Sequence, residues 1–288
     1  MNLYKPRVLF CLCILIAFYA ISFFSYNTKE CFVDERLYQN HFVAHGRTNS
    51  EPFPDNSLIL FETLISKGYE AVECDVFFTK DTVPVLCHES NIGIASKEHF
   101  DIEISEINYN ELLQYSFSTQ DSGYVPITTL EQLIKLAADN HILVQMDLAK
   151  LSFEQNQYKQ IYGILVKYNM TKSCIWEIKE KDFFKIADLD NTLIFQIDET
   201  WDRTNLTKLL MKKRFCSLII CSSWFEPLHH FADEDFINYE RIVSFGKRLG
   251  FQMKVATIND KEIAKRFLSI GVNLITTDCL YDEVDAKK

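Results

Sequence analysis

Apolar residues along this chain follow two alternating rhythms. Runs such as AVECDVFF (71–78), VPVLCH (83–88) and ILVQMDL (142–148) are apolar almost throughout, while the stretches between them repeat every three to four residues. Continuous runs of that length mark strands buried on both faces, and the longer period marks helices with one apolar side. The predicted strands are 41–46, 71–78, 83–88, 142–148, 174–178, 192–197, 217–223, 252–258 and 273–277. Several helix ends are also written in the sequence. Asp55, Asn56 and Ser57 offer capping oxygens ahead of Leu58, Phe61 and Ile65, and Gly68 is placed to end that helix in a left-handed turn. Thr128 with Glu131 predicts a capping box before Leu133, Ile134 and Ala137. Asn259 with Glu262 repeats that logic before Ile263 and Phe267, with a stop at Gly271.

Strand and helix alternate from residue 41 to the C-terminus, which predicts an α/β fold of the (β/α)8 barrel type over 41–288. Nine strands for eight places leave one extra or irregular. The stretch 91–126 has weaker periodicity and reads as an insertion with a short helix around Asn110 to Tyr115.

Composition adds bounds. The 288 residues are 48% hydrophobic, enough for one large core, and the net charge of −10 excludes phosphate neutralisation of a nucleic acid as the main business of the surface. At the N-terminus, Lys5 and Arg7 precede Val8 to Phe24, a run without a charge. Residues 1–26 are expected to form an uncleaved signal anchor, with a cleaved signal as the rival, followed by a polar neck at 27–40. The basic flank then places a single-pass protein with its barrel outside the cytoplasm. Nine cysteines show no C-x-x-C pair or metal-finger spacing, and most sit in apolar runs, so no disulfide framework is expected.

The chemistry gathers at strand ends, where barrels of this type place their active sites. His45 closes the first predicted strand, His88 the third, and Asp147 nearly closes the fourth. Glu73 and Asp75 lie two apart and share one face of a buried strand, with Cys74 turned the other way. Like charges there repel, and burial of an unpaired carboxylate is expensive. Either a lysine or arginine pairs with one of them, or Glu73, Asp75 and Asp147 hold a hard divalent cation, Mg²⁺ or Ca²⁺. Two histidines flanking such a cation can divide proton transfer, one as base and one as acid, since imidazole titrates near neutrality.

These residues sit in an ordered set of motifs: His45-Gly46-Arg47, Pro54-Asp55-Asn56-Ser57, Glu73-Cys74-Asp75-Val76, Val85-Leu86-Cys87-His88, VPITTLEQLIKLA (125–137), VATIND (255–260) and GVNLITTD (271–278). The set resembles the glycerophosphodiester phosphodiesterase family, whose pattern runs H-R-G, P-E-N-T, E-x-D-V, V-x-H-D, I-P-T-L-E-E, W-T-V-N and G-V-D-x-I-x-T-D. The resemblance implies a (β/α)8 barrel, a divalent metal, and hydrolysis of a glycerophosphodiester to an alcohol and a phosphomonoester. By position it implies His45 and His88 as the acid/base pair and Glu73 and Asp75 as metal ligands. Asp147 aligns with the glutamate of the family's I-E-x-K strand. It also favours attack by a substrate hydroxyl through a cyclic phosphate. The same site would serve a lysophospholipid, a phosphoinositide or a surface polymer, and a binding-only pseudoenzyme is the non-enzymatic alternative.

The departures from the pattern are specific. Arg47 is displaced by one residue, Asp55 and Glu89 exchange acid lengths with the family, and Ala256 replaces the tryptophan of W-T-V-N. Ala149 stands where the family has a lysine, and strand alternation sends the adjacent Lys150 to the opposite face. Arg47 is therefore the candidate for gripping the substrate phosphate, provided the chain bends at Gly46.

Overall fold

The computed structural model describes residues 42–47, 51–93, 101–118, 124–190, 193–198, 204, 207, 209, 217–222 and 233–279, all within the compact unit Val33–Lys288. The expected anchor and neck, 1–40, lie outside the described residues. Among the described residues, no helix is long and apolar enough to cross a membrane.

The strands in chain order are β1 (Phe42–Ala44), β2 (Ala71–Phe78), β3 (Pro84–Leu86), β4 (Ser116–Ser118), β5 (Tyr124–Pro126), β6 (Thr128–Thr129), β7 (Leu143–Asp147), β8 (Cys174–Glu177), β9 (Ile194–Asp198), β10 (Ser217–Ser222), β11 (Gln252–Val255) and β12 (Leu274–Thr277). The described helices are α1 (Leu58–Ser66), α2 (Tyr109–Leu112), α3 (Leu130–Asn140), α4 (Gln155–Lys167), α5 (Phe183–Ala187), α6 (Asp233–Arg248) and α7 (Lys261–Ser269). Eight strands pair in parallel in the order β1-β2-β7-β8-β9-β10-β11-β12, and β12 pairs back to β1 through Phe42↔Ile275. The sheet thus curls into a TIM-barrel-like ring.

The ninth predicted strand, 83–88, is the extra one. Its core, β3, pairs antiparallel with β2 (Val76↔Leu86) and then with β6, outside the ring. Only residues 79–83 separate β2 from β3, which suits a hairpin, whereas a parallel partner needs a crossover of about a dozen residues or more. Asp147 consequently ends the third ring strand, not the fourth, and His88 hangs from the hairpin rather than from a ring strand. The expected short helix in the insertion is α2, which starts one residue and ends three residues earlier than predicted. The insertion packs its own small core of Phe77, Val85, Ile92, Ile104 and Leu112.

The ring is filled in layers. Val43, Ala71, Leu143, Ile175, Ile194, Ile219 and Leu274 form a buried apolar plug, one residue from each of seven strands. Alternation turns Val72, Cys74 and Val76 outward against the helices, in the main core with Leu60, Phe61 and Leu133. Two residues beyond the plug on β2 and β7, the inner face changes to Glu73 and Gln145, and two further on it ends in Asp75 and Asp147. The apolar plug supplies the packing and leaves the strand ends to chemistry.

Helix capping places the entry loops, with a one-residue shift from expectation at α3 and α7. Of the three candidates Asp55, Asn56 and Ser57, it is Ser57 that caps α1, accepting from Leu60 N. Thr129 and Gln132, not Thr128 and Glu131, form the capping box of α3. Asp260, not Asn259, caps α7. In each case the neighbouring polar residue has another partner: Thr128 Oγ1 accepts from Leu58 N, and Asn56 and Asn259 belong to the site.

Candidate active site

Glu73, Asp75 and Asp147 each offer a carboxylate oxygen within 4.8 Å of the others. The register Asp75↔Asp147 sets the two strand-end carboxylates side by side, with Glu73 one step deeper. Backbone and amide donors fix their directions. Gly46 N donates to Glu73 Oε2 (3.0 Å), Asn56 Nδ2 to Asp75 Oδ2 (2.8 Å), and Ala149 N to Asp147 Oδ1 (2.7 Å). Asn56 also accepts from Asp75 N (2.9 Å), so one buried amide locks both the backbone and the side chain of that residue. Asn56 does this from a left-handed backbone (φ 58°), a conformation asparagine tolerates better than most residues.

Gly46 is required by space. A Cβ there would stand 2.5 Å from Glu73 O and 3.0 Å from Asn56 Oδ1. The expected bend is present at 46–47, and the absent side chain lets β1 close onto the triad.

His45, half-buried at the end of β1, directs Nδ1 to Asp278 Oδ1 at 2.7 Å and holds Nε2 3.7 Å from Glu73 Oε2. Asp278 follows β12 and is held in turn by Asn259, whose Nδ2 donates to Asp278 Oδ2 (2.7 Å) and whose Oδ1 accepts from Asp278 N (2.8 Å). Burial opposes charge on His45, but Glu73 and Asp278 outweigh it and push the imidazole up to about 9. Burial likewise raises Asp278, yet the hydrogen bonds from His45 and Asn259 leave it below the usual carboxylate range.

His88 lies across the mouth. Its Nδ1 meets Glu89 Oε1 at 2.8 Å and its Nε2 meets Arg47 Nη1 at 3.2 Å. A guanidinium only donates and a carboxylate only accepts, so the geometry fits the tautomer with the proton on Nδ1 and the lone pair on Nε2. Arg47 also reaches Asp55, Nε to Oδ2 at 3.6 Å.

Lys150 corrects an expectation. Strand alternation placed it away from the site, but β7 ends at Asp147 and the chain turns before Lys150. Its Nζ lies 2.7 Å from Asp75 Oδ1 and donates to His88 O at 2.6 Å, bringing a cation into the region that Ala149 leaves without one. Lys179 Nζ donates to Lys150 O (3.2 Å) and steadies that turn. Lys150, Leu151, His88, Glu89, Ser90 and Phe77 line a cleft of about 360 Å³ beside the triad.

Both readings left open by the sequence therefore hold in part: Asp75 has a lysine partner, and the triad remains a compact set of hard oxygen donors. Burial, and then the neighbouring charge of Asp75, push Glu73 up to about 7. A cation among the three relieves that repulsion, so the donor set fits a divalent ion.

Sequence reasoning missed Asp278, Asn259, Lys150, Glu177 and Lys254. Asp278 lay inside a quoted motif without a role, and Asn259 was read only as a helix cap. Glu177 ends an apolar strand, and Lys254 is a lone charge inside another, each a signal on the same grounds that singled out Glu73 and Asp75. Ala256 leaves the wall of the family tryptophan open to another aromatic, and of the chain's tryptophans Trp201 and Trp224 lie outside the described residues. Trp176 is fully buried in the main core and cannot supply it.

Residues 47–280 match the model of the glycerophosphoryl diester phosphodiesterase family. A curated relative from Mycobacterium tuberculosis, a probable glycerophosphodiester phosphodiesterase 1, is 26% identical over 141 residues, 46% of this chain and 49% of the relative. The aligned stretch spans about half the length of that relative. Among solved structures, a putative glycerophosphoryl diester phosphodiesterase from Silicibacter pomeroyi superposes with a TM-score of 0.66 at 16% identity, covering 86% of this chain and 93% of that one. A phosphodiesterase from Oleispira antarctica, solved with its product sn-glycerol-3-phosphate, gives 0.65 at 16% identity over 87% and 98%. At those identities the superpositions speak for the fold, and the family assignment rests on the match across most of the chain. The chain belongs to the glycerophosphoryl diester phosphodiesterase family.

Proposed function

We propose that this protein is a divalent-metal-dependent phosphodiesterase that cleaves a glycerophosphodiester to an alcohol and a phosphomonoester. The observation that carries the proposal is the meeting of a three-carboxylate cluster with two histidines and two basic side chains at one barrel mouth. Family membership supplies the reaction class. The Oleispira antarctica protein holds sn-glycerol-3-phosphate, the kind of product this reaction would release.

Glu73, Asp75 and Asp147 would hold Mg²⁺ or Ca²⁺, which when bound supplies Lewis-acid polarisation of a phosphoryl oxygen. The chain's own side chains do the rest. Arg47 and Lys150 flank His88 and draw the anionic phosphate to that side of the mouth, the guanidinium in a forked grip and the ammonium as a point charge. His45 and His88 divide the proton work: one takes the proton of the attacking hydroxyl or water, the other returns one to the leaving alkoxide. Asp278 and Glu89 hold the two rings in register. The Lys150 position favours a working hydrolase over a pseudoenzyme, because a cation stands near the phosphate site despite Ala149. We further propose that Val8–Phe24 tethers the barrel to the outer face of a membrane. Protease shaving of intact cells tests this, and resistance of the barrel would refute the orientation.

The deciding experiment is alcohol and phosphomonoester release from a panel of glycerophosphodiesters and lysophospholipids, with and without a chelator. Turnover of glycerophosphodiesters that the chelator abolishes is expected. Turnover of lysophospholipids alone would move the assignment to the lipid class, and binding without turnover at saturating Mg²⁺ and Ca²⁺ would leave the pseudoenzyme.

A further inference from the structure

The ring contains a buried charge that the proposed reaction does not use. Lys254, on β11, is 1% exposed, with its ammonium inside the barrel. It reaches across the interior to donate to Gln145 Oε1 on β7 (2.5 Å) and to Gln196 Oε1 on β9 (3.0 Å). A buried cation is costly unless its hydrogen bonds repay it, so such a residue is not neutral filler.

The bond to Gln145 has a direction. With its oxygen committed to Lys254, the Gln145 amide must present its NH₂ the other way, and Nε2 donates to Glu177 Oε2 at 2.5 Å. Glu177 is the last residue of β8, partly exposed, and its register partner is Asp147 of the triad. Lys254 and Gln145 therefore hold a fourth carboxylate at the mouth, one strand beyond Asp147 and two beyond Asp75.

Glu177 lies on β8, two strands from Asp75, the carboxylate that Lys150 pairs with. Arg47 and Lys150 gather at His88 and Asp75, on the hairpin side of the ring. A carboxylate repels phosphate oxygens and accepts from hydroxyl groups. The part of the substrate that reaches it is then the alcohol esterified to the phosphate.

We propose that Glu177 is a substrate-contacting carboxylate, positioned by Lys254 through Gln145, that accepts a hydrogen bond from a free hydroxyl of that alcohol and so selects glycerol-like, polyhydroxylated phosphoesters. This rests on the phosphodiesterase reading and deepens it.

The test is a binding ratio, which does not require turnover. Calorimetry in Mg²⁺ compares sn-glycerol 3-phosphate with methyl phosphate, which lacks the hydroxyls, on the full chain and on Glu177→Gln and Gln145→Leu. The wild-type protein should prefer the glycerol ester. Glu177→Gln should weaken that ester about tenfold, the value of one hydrogen bond to a charged group, while leaving methyl phosphate unchanged. Gln145→Leu should move the ratio in the same direction. A preference unmoved in Glu177→Gln, or an equal loss for both ligands, overturns the proposal. Glu177→Gln retains the packing at a partly exposed strand end, so it reports even if Gln145→Leu does not fold. A wild-type protein that binds neither ligand and cleaves no diester sinks the phosphodiesterase reading and this proposal together. Binding with an unmoved ratio sinks only the proposal.

Discussion

The two halves of the ring contribute to the mouth in different ways. From His45 to His88, the chain places two histidines, Arg47 and two of the three triad carboxylates, all within three strands. From β8 to the turn after β12 it places Lys254, Asn259 and Asp278, which hold or orient other groups, and Glu177, which is held through Gln145. The first group consists of short-range motifs that would carry the proposed chemistry. The second supports it through contacts remote in sequence: His45 to Asp278 spans 233 positions and Lys254 to Gln145 spans 109. Reactive side chains tolerate little variation in spacing on their own strand, whereas a supporting hydrogen bond needs only to arrive from somewhere in the ring.

If that division is right, damage should be graded. The largest effect is expected from Glu73→Ala or Asp75→Ala, which should abolish both divalent-ion binding and turnover while the apolar plug keeps the fold. Undiminished ion affinity in calorimetry would remove the metal-site assignment, and Asp147→Asn, which keeps one oxygen, should weaken affinity less. Next come His45→Ala and His88→Ala, each expected to lower kcat about 10²–10⁴-fold with ion affinity retained, since general acid–base groups act on the transition state. Near-normal turnover in either would make that histidine structural.

The supporting half should be milder. Asp278→Asn leaves the His45 ring in place but replaces a charged hydrogen bond, worth about 1.5–3 kcal/mol, so kcat should fall roughly ten- to hundredfold. A loss as large as that of His45→Ala would erase the distinction between chemistry and support. The smallest effect belongs to the scaffold. Ser57→Ala removes the N-cap of α1 and should cost about 1 kcal/mol of stability, read as a lower Tm with kcat unchanged. A fall in kcat there would show that α1 transmits its position to Asn56 and Asp75.

The caps show where sequence reasoning reached its limit. In all three cases the helix start was legible to within a residue, but at α3 and α7 the capping oxygen was assigned one position early, and at α1 three candidates stood side by side. A polar residue at a helix start can cap the helix or reach for a tertiary partner, and local pattern does not separate the two. Asn56 took Asp75, Thr128 took Leu58 N, and Asn259 took Asp278. Lys150 was misplaced for a related reason: the period of two holds only while the strand lasts, and β7 stops at Asp147.

What the sequence determined by itself was the barrel and the candidate groups at its mouth. Buried strands must be apolar, so the ring strands announce themselves, and a carboxylate or histidine at such a strand's end stands out against that background. Glu73, Asp75, Asp147, His45 and His88 were visible in this way, as was the surplus of one strand, whereas Arg47 was singled out through the motif it displaces. Only the tertiary structure decided which strand stood outside the ring, which cation met Asp75, and which distant side chains held the histidine and the fourth carboxylate. Those choices depend on ring closure, which brings β12 beside β1 and sets β11 facing β7. No local pattern encodes a neighbour that exists only once the sheet has curled shut.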